Sequence, residues 1–336
     1  MSVQYEKPDE DLPQLTPEEY LALQQKQIRR RANWFLAGGG LITAYLVFEV
    51  LTGGIARREL FQNIFFILGL FGLVGGGWGI YYANHLTLKD LIPSPEAIEF
   101  LREGRLSKPY FSYILIASIT VVMLFELLTE NVSSIFDVGE QSAAIAGLVK
   151  PLVWKGEYWR LLTAATLHGI FPLHLFFNAQ ALYVFGSLIE ALSNRAHLAI
   201  VFLLSAIGGG LLSLFFMPDV WSIGASGGIM GLIGYLAIYG YRRKRQLPPD
   251  FLKTMLVNIG FISAFGLVAY QIVDNFGHLG GLITGAIYGF VQIPKNLHQN
   301  PRVVGSATRI AGFAALIIFI LTCILTILLL LKLVRL

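Results

Sequence analysis

The sequence is poor in charged residues and contains a single cysteine. Asp, Glu, Lys and Arg make up only 14% of the 336 residues, and 55% are hydrophobic, whereas a typical soluble domain is about 25% charged. A soluble protein of this composition would expose large apolar patches to water. The lone Cys323 excludes an internal disulfide and a CxxC metal site. The composition therefore favours a protein embedded in a lipid bilayer.

A cleavable leader is not indicated in the first 33 residues, which are polar. Their acidic residues are Glu6, Asp9, Glu10, Asp11, Glu18 and Glu19. A signal peptide needs an apolar core, and a mitochondrial transit peptide is poor in acidic residues, so the segment fits neither. We expect the first apolar run to act as an uncleaved anchor.

The formal net charge of +4 could by itself suggest a nucleic-acid partner. The lysines and arginines, however, lie in short clusters beside apolar runs, as at 29–31 and 242–245. That distribution is typical of the cytoplasmic loops of membrane proteins. The lipid bilayer is therefore the predicted partner, and no nucleic acid is.

Nine apolar runs are each long enough to cross a hydrocarbon core of about 30 Å at about 1.5 Å per residue. They lie at about 34–53, 61–83, 111–129, 168–190, 196–217, 224–241, 251–270, 277–294 and 309–331. The predicted fold is an all-α polytopic transmembrane helix bundle. Every second loop between these runs is rich in Lys and Arg, which marks it as cytoplasmic, with Arg57 and Arg58 as the main exceptions. This alternation predicts a cytoplasmic N-terminus and a C-terminus on the outside.

Four polar side chains within these runs are candidates for chemistry, because polar groups are costly inside a membrane. They are His174, Asn178, Ser226 and His278. The last three each precede the basic residue at the inner end of their span by 16 or 17 positions. They therefore share one depth, about 24–26 Å above that marker. A single buried serine usually just bonds its own helix backbone. Polar residues with unrelated structural roles, however, would rarely lie at the same depth in three different spans.

Glycine spacing predicts that the serine and histidine helices touch. A four-residue ladder runs from Gly277 through Gly281 and Gly285 to position 289, and a GxxxG begins at Gly227. Such stripes let helix backbones approach closely in lipid. Generic transmembrane packing explains the glycines, but it does not explain why a serine and a histidine lie beside their upper ends.

These residue types suit nucleophilic catalysis. A serine hydroxyl needs an adjacent base, and His278 can serve Ser226 in that role. The tetrahedral intermediate needs donors for its oxyanion. The Asn178 amide, the His174 ring N–H and the backbone N–H of Ser226 at a helix N-terminus are the candidates.

Four segments in order resemble the signatures of the rhomboid family, over about 110–295. They are Gly-Glu-Tyr-Trp-Arg at 156–160, His-x-x-x-Asn at 174–178, Gly-Ala-Ser-Gly at 224–227 and Gly-His-x-x-Gly-x-x-x-Gly at 277–285. The resemblance implies an intramembrane serine endopeptidase without metal or cofactor, with Ser226 and His278 as its dyad and an oxyanion hole formed by His174, Asn178 and Ser226. It also assigns structural roles to Trp159, Arg160, Gly186, Glu190, Gly224, Gly227, Gly277, Gly281 and Gly285.

The resemblance also implies a domain organisation. A cytoplasmic tail (1–33), a transmembrane hairpin (34–83) and a cytoplasmic linker (84–110) precede a six-helix rhomboid core (111–294), and 295–336 adds a seventh core-associated span. The expected substrates are single-span membrane proteins, cut near the outer boundary of a bacterial plasma membrane. Two residues depart from the family pattern: Gly277 replaces a common alanine, and Met230 replaces an aromatic that stacks on the histidine.

Three alternatives stay open at the level of sequence. The chain could be a catalytically inactive rhomboid-like adaptor, although such relatives typically lack the serine or the histidine. A transporter would fit nine spans, but paired intramembrane charges and inverted halves are not evident. Finally, Asp274 lies one turn before His278, so it either orients the imidazole as a third catalytic residue or caps the helix.

Overall fold

The computed structural model describes residues 16–334, apart from 62, 92–93, 105–106, 131–139 and 170–171. Nine long helices in these ranges coincide with the nine predicted runs. They are α1 (Pro17–Leu51), α2 (Ile64–His85), α3 (Tyr110–Thr129), α4 (Pro172–Leu192), α5 (Arg195–Phe216), α6 (Ser226–Arg242), α7 (Phe251–Val268), α8 (Asn275–Gln292) and α9 (Ser306–Leu330). The prediction of an all-α transmembrane bundle is confirmed.

Short helices connect these nine. They are the α-helical turns Arg57–Leu60, Leu88–Leu91, Pro95–Gly104, Glu140–Ala146, Lys150–Val153 and Arg160–Thr163, and the 3₁₀ turns Ala164–Thr166 and Lys244–Gln246. No strand occurs in the described ranges; extended pairing there is limited to an antiparallel bridge between Leu148 and Ser222.

Seven of the described helices are long and apolar enough to cross a membrane, namely α1, α2, α3, α4, α5, α7 and α9. The other two, α6 and α8, have 17 and 18 residues and contain five glycines each. α6 is one residue too short to qualify by length, and α8 includes the polar residues Asn275, His278 and Gln292, which lower its mean hydropathy. They are also the helices that carry Ser226 and His278.

Three helices begin later than predicted. The run predicted from 61 begins at Ile64, where the Asn63 side chain caps the helix; glycine backbone geometry explains the other two differences. The predicted span from 168 begins only at Pro172, after Gly169 adopts a positive φ of 64°. The span predicted from 224 begins at Ser226, because Gly224 has a φ of 120°. Right-handed helices do not accommodate these angles, which glycine tolerates. Each glycine therefore sets the start of the helix that follows it.

The described residues fall into two compact units, Met1–Ile92 and Pro93–Leu336. In the first, α1 is continuous from the tail into the first span, and Thr16 and Glu19 form a capping box at its start. Each of its two long helices contains three consecutive glycines, at 38–40 in α1 and 75–77 in α2. The middle glycine of each triplet lies at the α1–α2 contact: a Cβ at Gly39 would be 2.5 Å from the Gly69 carbonyl oxygen, and one at Gly76 would be 2.6 Å from Leu36 Cγ. Small residues thus bring these two backbones together.

In the second unit, α6 lies at the centre of the main apolar core and packs against α4, α5, α7 and α8. Its Leu232, Ile233 and Leu236 are fully buried. Near the C-terminal end of α4, the Glu190 carboxylate accepts hydrogen bonds of 2.8 Å from both Ser112 N and Ser112 Oγ. A carboxylate is stabilised at a helix N-terminus, so Glu190 fastens α3 to α4.

Candidate active site

The site is built on the contact between α6 and α8, whose backbones touch. A Cβ at Gly281 would overlap the carbonyl oxygen of Gly227, and a Cβ at Gly285 would overlap that of Gly231. Side chains are thus excluded at both positions, as the glycine ladder predicts. Because Ser226 and His278 lie beside the upper end of this contact, the close approach brings the two residues onto one cavity.

Ser226 is the first residue of α6. Gly224 turns the chain into the helix and donates its N–H to the Ala164 carbonyl at 2.9 Å. Hydroxyls further along a helix, such as those of Ser118 and Thr284, donate to the carbonyl four residues earlier. Ser226 has no carbonyl of its own helix at that position, and its backbone N–H is among the free donors of the first turn. Both groups therefore remain available at the cavity.

His278 lies in the first turn of α8 and lines the same cavity as Ser226. The cavity is also lined by Gly224, Gly227 and Gly277. In the described part of the chain, the Nδ1 atom of His278 is buried without a hydrogen-bond partner. No carboxylate in those ranges is hydrogen-bonded to this nitrogen.

Asp274 caps α8, which confirms the capping interpretation. Its Oδ1 accepts the Gly277 N–H at 2.7 Å, the standard contact of an N-cap carboxylate. Its Oδ2 accepts hydrogen bonds from Ser213 Oγ and, at 2.5 Å, from Ser222 Oγ. Both oxygens are engaged in this way, and the carboxylate makes no hydrogen bond to His278 Nδ1.

His174 of α4 lies against Gly224, two residues before Ser226. A Cβ placed on Gly224 would lie 2.8 Å from His174 Nε2 and 3.8 Å from Ser226 Oγ. The other ring nitrogen, Nδ1, is 2.9 Å from the His168 carbonyl, which can only accept, so Nδ1 carries a proton. A neutral His174 therefore presents Nε2 as an acceptor, and only the imidazolium form donates to an oxyanion.

A buried carboxylate that sequence reasoning missed positions this histidine. Glu126 of α3 is fully buried, and its two oxygens accept the N–H groups of His168 and Gly169 at 2.9 Å each. These bonds fix the turn whose carbonyl holds His174. The signal was present in the sequence, because Glu126 is an acidic residue inside the apolar run 111–129.

Asn178 is buried one turn below His174, and its Nδ2 donates to the His174 carbonyl at 2.9 Å. One amide hydrogen is therefore used on the backbone of α4. Neither Asn178 nor His174 lines the described cavity. Met230 is 2% exposed and packs into the apolar core.

The outer loop, residues 140–167, covers the cavity. Arg160 is buried; it donates to the Gly147 carbonyl at 2.9 Å, pairs with Glu157 at 2.6 Å and stacks over the Trp159 ring. The Leu148–Ser222 bridge then joins the loop to the segment that leads into α6. The Trp–Arg pair thus organises the loop, and it does not contact the serine.

Comparison with known proteins supports the resemblance. Residues 155–295 match the family model of the Rhomboid domain, and this match contains Ser226, His278, His174 and Asn178. The chain therefore contains a region that matches the rhomboid family. Rhomboid protease GluP of Bacillus subtilis is 35% identical over 181 residues, which cover 53% of this chain and 34% of that protein.

Two further rhomboid relatives show the range of the family. RHOMBOID-like protein 6, mitochondrial, of Arabidopsis thaliana is 36% identical over 149 residues, covering 42% of this chain and 46% of that protein. Putative rhomboid protease YdcA of Bacillus subtilis is 29% identical over 144 residues, which cover 43% of this chain and 71% of that protein. The chain spans less than half the length of the first two relatives, and these names include both proteases and rhomboid-like proteins.

Proposed function

We propose that this multi-pass membrane protein is an intramembrane serine endopeptidase. One observation carries the proposal: Ser226 and His278 occupy the first turns of two helices in backbone contact and line one cavity. Neither side chain is committed to another structural bond among those described for the chain. A serine hydroxyl and an imidazole on one cavity are the minimal pair of groups for nucleophilic catalysis.

In this mechanism His278 removes the Ser226 proton as Oγ attacks the carbonyl carbon of the scissile peptide bond. The same imidazole then donates that proton to the leaving amine, and a water molecule hydrolyses the acyl-enzyme by the reverse proton transfers. The unpartnered Nδ1 of His278 means that the imidazolium gains no carboxylate partner. The dyad therefore depends on the packing around α8 for the orientation of its base.

The oxyanion of the tetrahedral intermediate meets donors from two helices. The Ser226 N–H points out of the first turn of α6, and Asn178 has a second amide hydrogen that its backbone bond leaves free. His174 donates through Nε2 when protonated, since its Nδ1 is held by the His168 carbonyl. A negative charge that develops next to the His174 ring favours the protonated form of that ring.

The substrates we propose are single-span membrane proteins, cut near the outer boundary of a bacterial plasma membrane. The N-terminus would be cytoplasmic and the C-terminus outside, with the catalytic core at 111–294 and 295–336 as its associated seventh span. Residues 1–33, 34–83 and 84–110 would form the tail, hairpin and linker. The basic run at 242–245, at the opposite end of α6 from Ser226, supports this orientation because such runs stay cytoplasmic.

A fluorophosphonate probe tests the proposal, because it reacts with an activated serine whatever the natural substrate is. The purified chain in proteoliposomes should be labelled and should cleave a model transmembrane substrate, whereas Ser226→Ala should do neither. His278→Ala should lose cleavage to a similar extent, on the order of 10⁶-fold in the precedent of soluble serine proteases. An unlabelled wild type that leaves the substrate intact would instead indicate a rhomboid-like adaptor.

A further inference from the structure

A second polar cluster lies beside the site and is not used by the mechanism. It contains Lys150 of the outer loop, Ser213 at the outer end of α5, Ser222 before α6, and Asp274 at the start of α8. Lys150 and Ser213 are fully buried. Because a buried lysine costs free energy unless it is paired, this residue calls for a specific explanation.

Hydrogen bonds connect the cluster in one direction. Lys150 Nζ donates to the Val220 carbonyl and, at 2.6 Å, to Ser222 Oγ. Ser222 Oγ in turn donates to Asp274 Oδ2 at 2.5 Å. The ammonium and the carboxylate are therefore joined through one hydroxyl, which polarises the bond that Asp274 receives.

The same carboxylate fixes the start of the histidine helix. Its Oδ1 accepts the Gly277 N–H at 2.7 Å, and the Asp274 carbonyl accepts the His278 N–H at 3.0 Å. The rotamer of Asp274 thus fixes the first turn of α8 through Gly277, the residue before His278. Since no side chain in the described part of the chain bonds His278 Nδ1, this anchored turn and the packing around α8 together position the ring.

We propose that Lys150 is a positioning residue for His278: acting through Ser222, its ammonium group holds the Asp274 carboxylate in the rotamer that caps α8. The outer loop is thereby coupled to the catalytic base. This inference rests on the proposed function for its effect on cleavage, but the coupling itself is a property of the fold.

Lys150 gains or loses its charge within a pH range that can be tested in solution. Burial lowers the pKa of Lys150 from its ordinary 10.5 to about 8, although the negative charge of Asp274 opposes the shift. Asp274 is the charged group that acts on the ammonium from α8. Asp219, next to Val220 in the adjoining loop, is exposed. The ammonium is therefore present below about pH 8 and is lost above it.

The test compares Lys150→Met, which keeps the length of the side chain, with Lys155→Met. Lys155 is an exposed lysine of the same loop and serves as the matched control. At pH 7 we expect Lys150→Met to lower kcat by roughly tenfold, less than the ~10²-fold cost of a 1 Å misplacement of a reacting group. The control should cleave at the wild-type rate.

The pH profile separates positioning from a general loss of structure. Wild type and Lys155→Met should lose activity above about pH 8, whereas Lys150→Met should lack this alkaline limb. Asp274→Asn keeps the capping oxygen, so by itself it should lower kcat by at most about tenfold, the size of a lost helix cap. In that background, adding Lys150→Met should change kcat little. Full additivity of the two substitutions, or an unchanged alkaline limb in Lys150→Met, would overturn the proposal.

Amide hydrogen exchange gives a readout that is independent of activity. We expect the segment 274–281 to exchange faster in Lys150→Met than in Lys155→Met at pH 7, because the first turn of α8 loses its fixed cap. Equal exchange would also overturn the proposal. If the wild type cleaves nothing, the proposed function fails, and the exchange measurement still decides whether Lys150 positions α8.

Discussion

The α6–α8 contact allows one substitution to be worked out in detail, namely Gly281→Ala. The added Cβ would overlap the Gly227 carbonyl oxygen and lie 2.7 Å from its carbonyl carbon. Carbon atoms in contact normally stay about 3.5–4.0 Å apart, so the two helices must separate by about 1 Å. Overpacking of this kind typically costs about 1–3 kcal/mol of stability.

The effect on activity should exceed the effect on folding. Ser226 immediately precedes Gly227, and His278 lies on the same helix as Gly281, so the separation acts directly on the pair. A 1 Å misplacement of reacting groups can lower the rate about 10²-fold. We therefore expect Gly281→Ala to fold, with a lowered Tm, and to cleave a model substrate about 10²-fold more slowly per folded molecule.

Gly260→Ala is the matched control, because a Cβ at Gly260 in α7 would have nothing within 4 Å. Alanine has the higher helix propensity by about 1 kcal/mol, so this variant should be at least as stable as wild type and equally active. Initial cleavage rates in proteoliposomes, fluorophosphonate labelling rates and thermal unfolding would be compared. Gly281→Ala cleaving within about twofold of Gly260→Ala would refute the view that backbone contact sets the geometry of the pair.

Three further predictions follow from the same geometry. Asn178→Ala should lower kcat roughly 10²–10³-fold, as loss of one oxyanion donor does; a wild-type rate would shift that role to Ser226 N–H and His174. The native Lys150 releases its proton at about pH 8, and the unfolded lysine only near pH 10.5. Between these values the unfolded chain binds more protons than the native chain, so the free energy of unfolding rises with pH. The Tm of wild type relative to Lys150→Met should therefore increase from pH 8 to 10, and a decrease would contradict the assignment. In a chain freed of Cys323, an impermeant thiol reagent should reach Lys155→Cys from outside and Arg245→Cys from inside, and the opposite pattern would reverse the orientation.

The helices and the meeting of the catalytic candidates were predictable from sequence because both depend on regular geometry. A helix rises by a fixed distance per residue, so counting from the basic markers placed Ser226 and His278 at one depth. The glycine ladder added the contact between their helices. These inferences needed no knowledge of loops.

The supporting residues were harder to predict, for two different reasons. Glu126 was detectable as a carboxylate within an apolar run, but its partners are backbone N–H groups of a turn, which carry no side-chain signature. Lys150 lies in a loop whose path depends on the Leu148–Ser222 bridge and on Arg160. No local periodicity records such tertiary contacts, so its burial beside Asp274 emerges only from the three-dimensional structure.

The continuity of α1 has a mechanical consequence. Its 35 residues extend about 52 Å, whereas the hydrocarbon core is about 30 Å thick, so about 20 Å of rigid helix projects beyond the bilayer. The capping box at Thr16 and Glu19 stabilises the far end of this projection. Because the helix is unbroken from Pro17 to Leu51, its projecting turns and its membrane-spanning turns keep a fixed rotational register, set by 3.6 residues per turn.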